Sequence, residues 1–180
     1  MNKKTKFTIT TAWILFSRSY DAYCTNLLTP DLSKEANPIV TVVGVSSWTT
    51  LLIILGILTI YVIYAYFISV FRPMDLLPKD KGYSFGNFVA YVYLGFKDSW
   101  TATLYKLPKD TKRLNNYMGH LLTKCLVYAG IVSTIMWLLI NNSNYYKTIH
   151  SAPLIYSILI FGCVVFFLTA SSNIGYIHFI

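Results

Sequence analysis

The sequence predicts an all-α protein built into a membrane, a four-helix bundle with an amphipathic helix lying in the interface beside it. Three observations predict this. Hydrophobic residues make up 55% of the 180 residues and charged residues only 12%, against about 25% charged in ordinary soluble domains. Long stretches carry no charge at all. The basic residues that remain are gathered in alternate segments. The length suits one domain over residues 1–180.

The first element, residues 7–28, is the least apolar. It holds Ser17, Arg18, Ser19, Asp21, Thr25 and Asn26, and Pro30 closes it. Its length suits a crossing packed inside the bundle, with its polar residues facing other helices rather than lipid; a helix lying on the membrane surface is the rival. Lys3, Lys4 and Lys6 precede it. The apolar run is short and no small-residue cleavage site ends it, so it reads as a retained span rather than a signal peptide.

The second element, residues 45–71, is the clearest. No charge lies between Glu35 and Arg72, and a spanning helix needs about 20 apolar residues. Before it, Pro38–Gly44 either extends the helix or bends at Gly44. Residues 117–140 and 153–172 form two further spans, with the turn-forming cluster Asn141-Asn142-Ser143-Asn144 between them.

Between the second and third spans lies loop 72–116, broken by Pro73, Pro78 and Pro108. Within it Phe85, Phe88, Val89, Val92, Phe96, Trp100, Thr103 and Leu107 recur at helical spacing. Segment 84–107 therefore reads as a helix in the interface, with a dip into the membrane or a fifth crossing as the rival. This loop carries eight Lys or Arg and the N-terminus three, whereas the opposite loops carry only Lys34 and Lys147. Cytoplasmic loops keep Lys and Arg. Both termini are therefore placed on the cytoplasmic side of a cell inner membrane, crossed several times. The net charge of +8 is then first a topology signal. It also offers adhesion to anionic lipid or an acidic partner through Lys106, Lys109, Lys112 and Arg113. The loop lacks a dense run of Lys and Arg, which argues against direct nucleic-acid binding.

Residues that could carry chemistry are few. Arg18 and Asp21 are three apart and can pair on one helix face. That pair either fixes helix register or marks an ion or polar-ligand site. Lys124 lies one turn after His120; it either snorkels to the boundary or pairs with Asp21. Asn37 and Pro38 suit the start of a helix, with Glu35 near its positive end and able to fold into the outer mouth of the bundle. Cys24, Cys125 and Cys163 are widely spaced and read as small buried hydrophobes. The scattered His120, His150 and His178 suggest no metal site, and no cofactor motif or catalytic signature occurs.

Asp21-x-x-x-Thr25, then Glu35-Ala36-Asn37-Pro38, then an intramembrane Lys124 resembles a family of short prokaryotic membrane proteins, a domain of unknown function. These motifs span about a third of the chain, and the long basic loop 72–116 departs from the pattern. The resemblance implies a helical bundle with a polar interior and little about activity. By size, span count and basic loop the chain is also similar to four-span accessory membrane proteins encoded beside compact RNA-targeting CRISPR effectors, which implies an antiviral defence setting.

Three functions follow as expectations. The first is a non-enzymatic accessory or regulatory protein docking a partner through the basic loop. The second is an oligomeric channel, pore or ion-coupled transporter using Arg18, Asp21 and Lys124, for which four spans require self-association. The third is a lipid-processing enzyme with Asp21 or Glu35 as base, which lacks a visible nucleophile or metal partner.

Overall fold

A computed structural model describes residues 2–33, 35–76, 78 and 82–175, with side chains as far as Thr169. Lys79 and Lys81 of the basic loop, Lys34 and His178 lie outside the described residues. Every regular element among the described residues is helical. Three helices are long and apolar enough to cross a membrane: Trp48–Phe71, Thr111–Asn142 and Ala152–Thr169. Most of their apolar surface is uncovered by protein. Ile53, Ile57 and Ile60, for example, are 58–69% exposed, as lipid solvation permits and water does not.

Helix α1 runs Lys3–Leu28, 26 residues, or about 39 Å at 1.5 Å per residue. Its length would span a membrane, but Lys3, Lys4, Lys6, Arg18 and Asp21 keep it out of the apolar set. Helix α2, Pro38–Thr41, is a single turn capped by Asn37, with Pro38 at its start. The helix start expected at Asn37 is thus present but does not begin the long span. The chain breaks at Gly44, in the left-handed region at φ +80°, and α3, Trp48–Phe71, starts afresh.

Helix α4, Phe85–Leu94, is opened by a reciprocal Ser84–Asn87 capping box, which satisfies two orphan donors at once. It ends at Gly95, whose φ of +86° is a conformation open to glycine at little cost. Asp98 and Ser99 then cap a separate 3-10 turn, Trp100–Leu104. The aromatic stripe 84–107 is therefore not one helix. The apolar spacing continues through Phe96 to Leu107, but the left-handed residue reverses the chain. Ala90 and Leu94 pack on Ala102, while Leu107 is 84% exposed.

Helix α5, Thr111–Asn142, has 32 residues and starts earlier than the apolar run because Asp110 caps it. Asp110 Oδ1 accepts the Arg113 N–H at 2.9 Å. The Asn-rich cluster is not a four-residue turn. Helix α5 runs through Asn142, Ser143 caps α6, Asn144–Ile149, and α7 follows at Ala152–Gly175.

The chain divides into two compact units. The first comprises residues 1–61 and 125–162. In it α1 lies beside the second half of α5. Trp13 meets Val127, Ser17 meets Gly130, Arg18 meets Ser133 and Asp21 meets Trp137. Both numbers rise together, so the helices are parallel. Helix α7 runs the other way against α5: the Tyr128 hydroxyl donates to Ile158 O at 3.0 Å, and Met136 and Trp137 pack with Ile155. The second unit comprises residues 62–124 and 163–180. There Gly119 lies against the Ala65 backbone, and Asn116 Nδ2 donates to Arg72 O at 2.9 Å, so α3 and α5 are antiparallel. Phe88 meets Tyr117 and Phe85 meets Phe167, both edge-on.

Candidate functional site

The first unit holds a polar cluster between α1 and α5. Arg18 follows Ser17, a fully buried residue, and its guanidinium reaches α5. Its Nη1 lies 3.5 Å from Asp21 Oδ2, and its Nη2 donates to Ser133 Oγ at 3.0 Å. Trp137 Nε1 donates to the other carboxylate oxygen, Asp21 Oδ1, at 2.8 Å. The carboxylate is thus shared between a cation and an indole, the arrangement that makes a charge tolerable away from water. Arg18 Nε is buried without a hydrogen-bond partner. The Thr25 hydroxyl donates to Asp21 O at 2.8 Å, so it is tied to its own helix.

The expected pairing of Arg18 with Asp21 is present. Ser133 and Trp137, the residues that complete it, were not among the sequence candidates. They stand four apart on one face of α5, one and two turns beyond Gly130, and the small pair Gly130 and Ser133 was the available signal. His120 and Lys124 lie in the first half of α5, and both side chains are exposed.

Near the cluster the α1–α3 connection folds over the same unit. Glu35 Oε1 accepts the Asn37 N–H at 2.9 Å, and Asn37 Oδ1 accepts the Ile39 N–H at 3.0 Å. Burial pushes the Glu35 carboxyl above its ordinary range, the hydrogen bond from Asn37 works against that, and the negative charge of Asp21 adds to the push. Glu35 and Asp21 are therefore within electrostatic reach. Trp48 Nε1 donates to Thr29 O at 3.1 Å, fastening the start of α3 to the end of α1.

The second unit carries the basic segment, and its four singled-out cations differ. Lys106 Nζ donates to Asp98 Oδ2 at 2.8 Å. That bond holds the Asp98 carboxyl below its usual range and raises the Lys106 ammonium. Arg113 Nη1 lies 3.1 Å from Asp110 Oδ2 and its guanidinium stacks 4.3 Å from the Tyr91 ring centre. Lys109 rests 5.4 Å from the Phe96 ring centre. Lys109 and Lys112 are exposed and pair with no acid among the described residues. Beside them Trp100, Leu104, Tyr105 and Leu107 are exposed as well.

Each unit also holds a small cleft. One of about 150 Å³ lies beside Cys24, Leu27 and Trp137 in the first unit. The other, about 190 Å³, lies between α4 and the start of α5 in the second. No three His, Cys, Asp or Glu side chains come together in a metal-sized group among the described residues. No family model, curated protein or solved structure matches the chain.

Proposed function

We propose that the chain is a four-span, non-enzymatic accessory protein of the inner membrane, with both termini cytoplasmic, and that loop 72–116 is its docking surface. Counting α1 as a span is supported by its direction. It lies parallel to α5, as first and third crossings must when connected through α3. Its two mid-helix charges, Arg18 and Asp21, are half-buried and bonded to Ser133 and Trp137 of α5, as intramembrane charges usually turn toward protein.

One observation carries the docking role. Lys109 and Lys112 stand exposed and without acidic partners among the described residues, in the same segment as the exposed Trp100, Leu104, Tyr105 and Leu107. Aromatic residues with neighbouring cations are the composition of a recognition surface, and the partner they fit is an acidic protein surface. A defence setting rests on the resemblance alone. The test is the double reversal Lys109→Glu with Lys112→Glu in native membranes. Insertion should persist while the partner cross-linked to the wild-type loop is lost. An unchanged cross-link would remove the reading. Reversing Lys106 or Arg113 is a poorer test, because each would also break a pair with Asp98 or Asp110.

A self-associated pore is the second reading, motivated by the Arg18–Asp21 pair. Both Asp21 oxygens are already engaged, which suits a helix fastener better than a permeant-ion site. Ion flux in liposomes that persists in Asp21→Asn would end that reading.

A further inference from the structure

The connection from α1 to α3 is clipped at its base and bent within. The bond from Trp48 Nε1 to Thr29 O, at 3.1 Å, holds the end of α1 to the start of α3. Between those anchors stand two residues in the left-handed region, Leu32 at φ +59° and Gly44 at φ +80°. Glycine takes that conformation freely, but leucine does not. Leu32 is only 4% exposed, so burial of its side chain holds it there. Strained backbone of this kind gathers at ligand clamps and switch segments.

Little fastens the stretch between these two residues. Its hydrogen bonds among the described residues stay within it or reach its immediate neighbours, such as Leu32 N–H to Thr29 O and Val45 N–H to Ile39 O. Val42 and Val43 are 82% and 71% exposed.

Glu35 is the one titratable side chain described in this stretch. It is half-buried, and no cation among the described residues lies within ion-pair distance of it. Two groups from the packed helices share its field: Asp21 of α1, which is paired with Arg18, and Tyr156 of α7. Asp31, just before Leu32, accepts from the Ser33 N–H and hydroxyl. A protonated Glu35 lies against this unit without opposing Asp21. A charged one is short of water and repelled by the Asp21 carboxylate, and outward movement relieves both.

We propose that residues 32–44 are a flap, hinged at Leu32 and Gly44, that lies down on the first unit while Glu35 holds its proton and swings out when Glu35 is charged. The clip between Trp48 and Thr29 stays closed in both positions. The device draws on no residue of loop 72–116.

Spin labels at Val42→Cys and Asn144→Cys, in the full chain with its three native cysteines replaced, would report the flap in mild detergent. The distance between them would be read by pulsed electron paramagnetic resonance from about pH 4 to about pH 9. One narrow distance is expected at the acid end. A second, broader distribution should replace it as pH rises, with a midpoint above the ordinary glutamate value of about 4.3. Glu35→Gln should keep the narrow distance at every pH. Asp21→Asn should move the midpoint lower. Should that variant fail to fold, Glu35→Gln alone decides. A reference pair at Asn26→Cys and Asn144→Cys, on α1 and α6 of the same unit, should keep one distance throughout. A wild-type flap distance that ignores pH overturns the proposal. So does a pH response that survives Glu35→Gln, a midpoint unmoved in folded Asp21→Asn, or a reference pair that changes along with the flap pair.

Discussion

Trp137 is the residue on which the Arg18–Asp21 pair depends. Without its indole N–H, one carboxylate oxygen would lose its only donor from α5. Removing a hydrogen bond to a charged group costs about 1.5–3 kcal/mol, and a neutral one about 0.5–1.5 kcal/mol. Trp137→Phe should therefore lower stability more than Ser157→Ala, whose hydroxyl serves only Pro153 O. Unfolding titrations in mixed micelles would rank the two, and equal losses would mean that the indole bond is idle. Glu35 gives a second expectation. Burial raises its folded pKa, so the folded state holds this proton more tightly than the unfolded chain does. The stability it contributes is complete below the ordinary carboxylate pKa and is lost as pH rises through the raised value. Glu35→Gln keeps an oxygen for the Asn37 N–H, so it should raise the neutral-pH Tm and flatten the slope across that window. Thermal scans over a pH series would show it, and an unaltered slope would contradict it. At this scale the sequence revealed Arg18 and Asp21, because two charges three apart in a helix can only face one way. Their partners on α5 lie 115 and 116 residues away. No local spacing connects them.

At the scale of elements, the tightest approach is α3 on α5. A Cβ on Gly119 would collide with the Ala65 carbonyl, and Ala65 is itself fully buried. Backbone cannot swing aside, so Gly119→Ala should cost at least the 1–3 kcal/mol typical of overpacking, on the order of 3 kcal/mol. Gly162→Ala meets only the Tyr128 ring, which can turn at the expense of its bond to Ile158. It should be the milder change when both are compared by unfolding in micelles. If the two losses were equal, the close backbone contact would not matter. Span interiors were readable from long uncharged runs, because lipid imposes that composition. Span ends were not. Helix α5 gains its opening turn from Asp110, a polar cap that hydropathy ignores, and α4 stops at Gly95 although the apolar spacing runs on. Local backbone chemistry decided both.

For the whole chain, the proposed topology has a direct check. Single cysteines placed at Lys4 and at Asn144, in a chain with its three native cysteines replaced, should be labelled from opposite sides of sealed vesicles. Labelling from one side would exclude α1 as a crossing. The proposed sidedness rests on the excess of Lys and Arg in loop 72–116 and at the N-terminus. The parallel register of α1 and α5 was not readable, since it depends on which faces of two distant segments fit together. The left-handed break at Gly95 was equally hidden: it turns a long aromatic stripe into a folded-back module.

The distance along the chain between Arg18 and Ser133 also bears on biosynthesis. A ribosome adding about 5–20 residues per second needs several seconds to make the stretch separating them. Throughout that interval the growing polypeptide carries a cation and an anion in its earliest helix with no later segment to receive them. The two can only neutralise each other. Stable seating of that helix therefore has to wait for α5 to emerge.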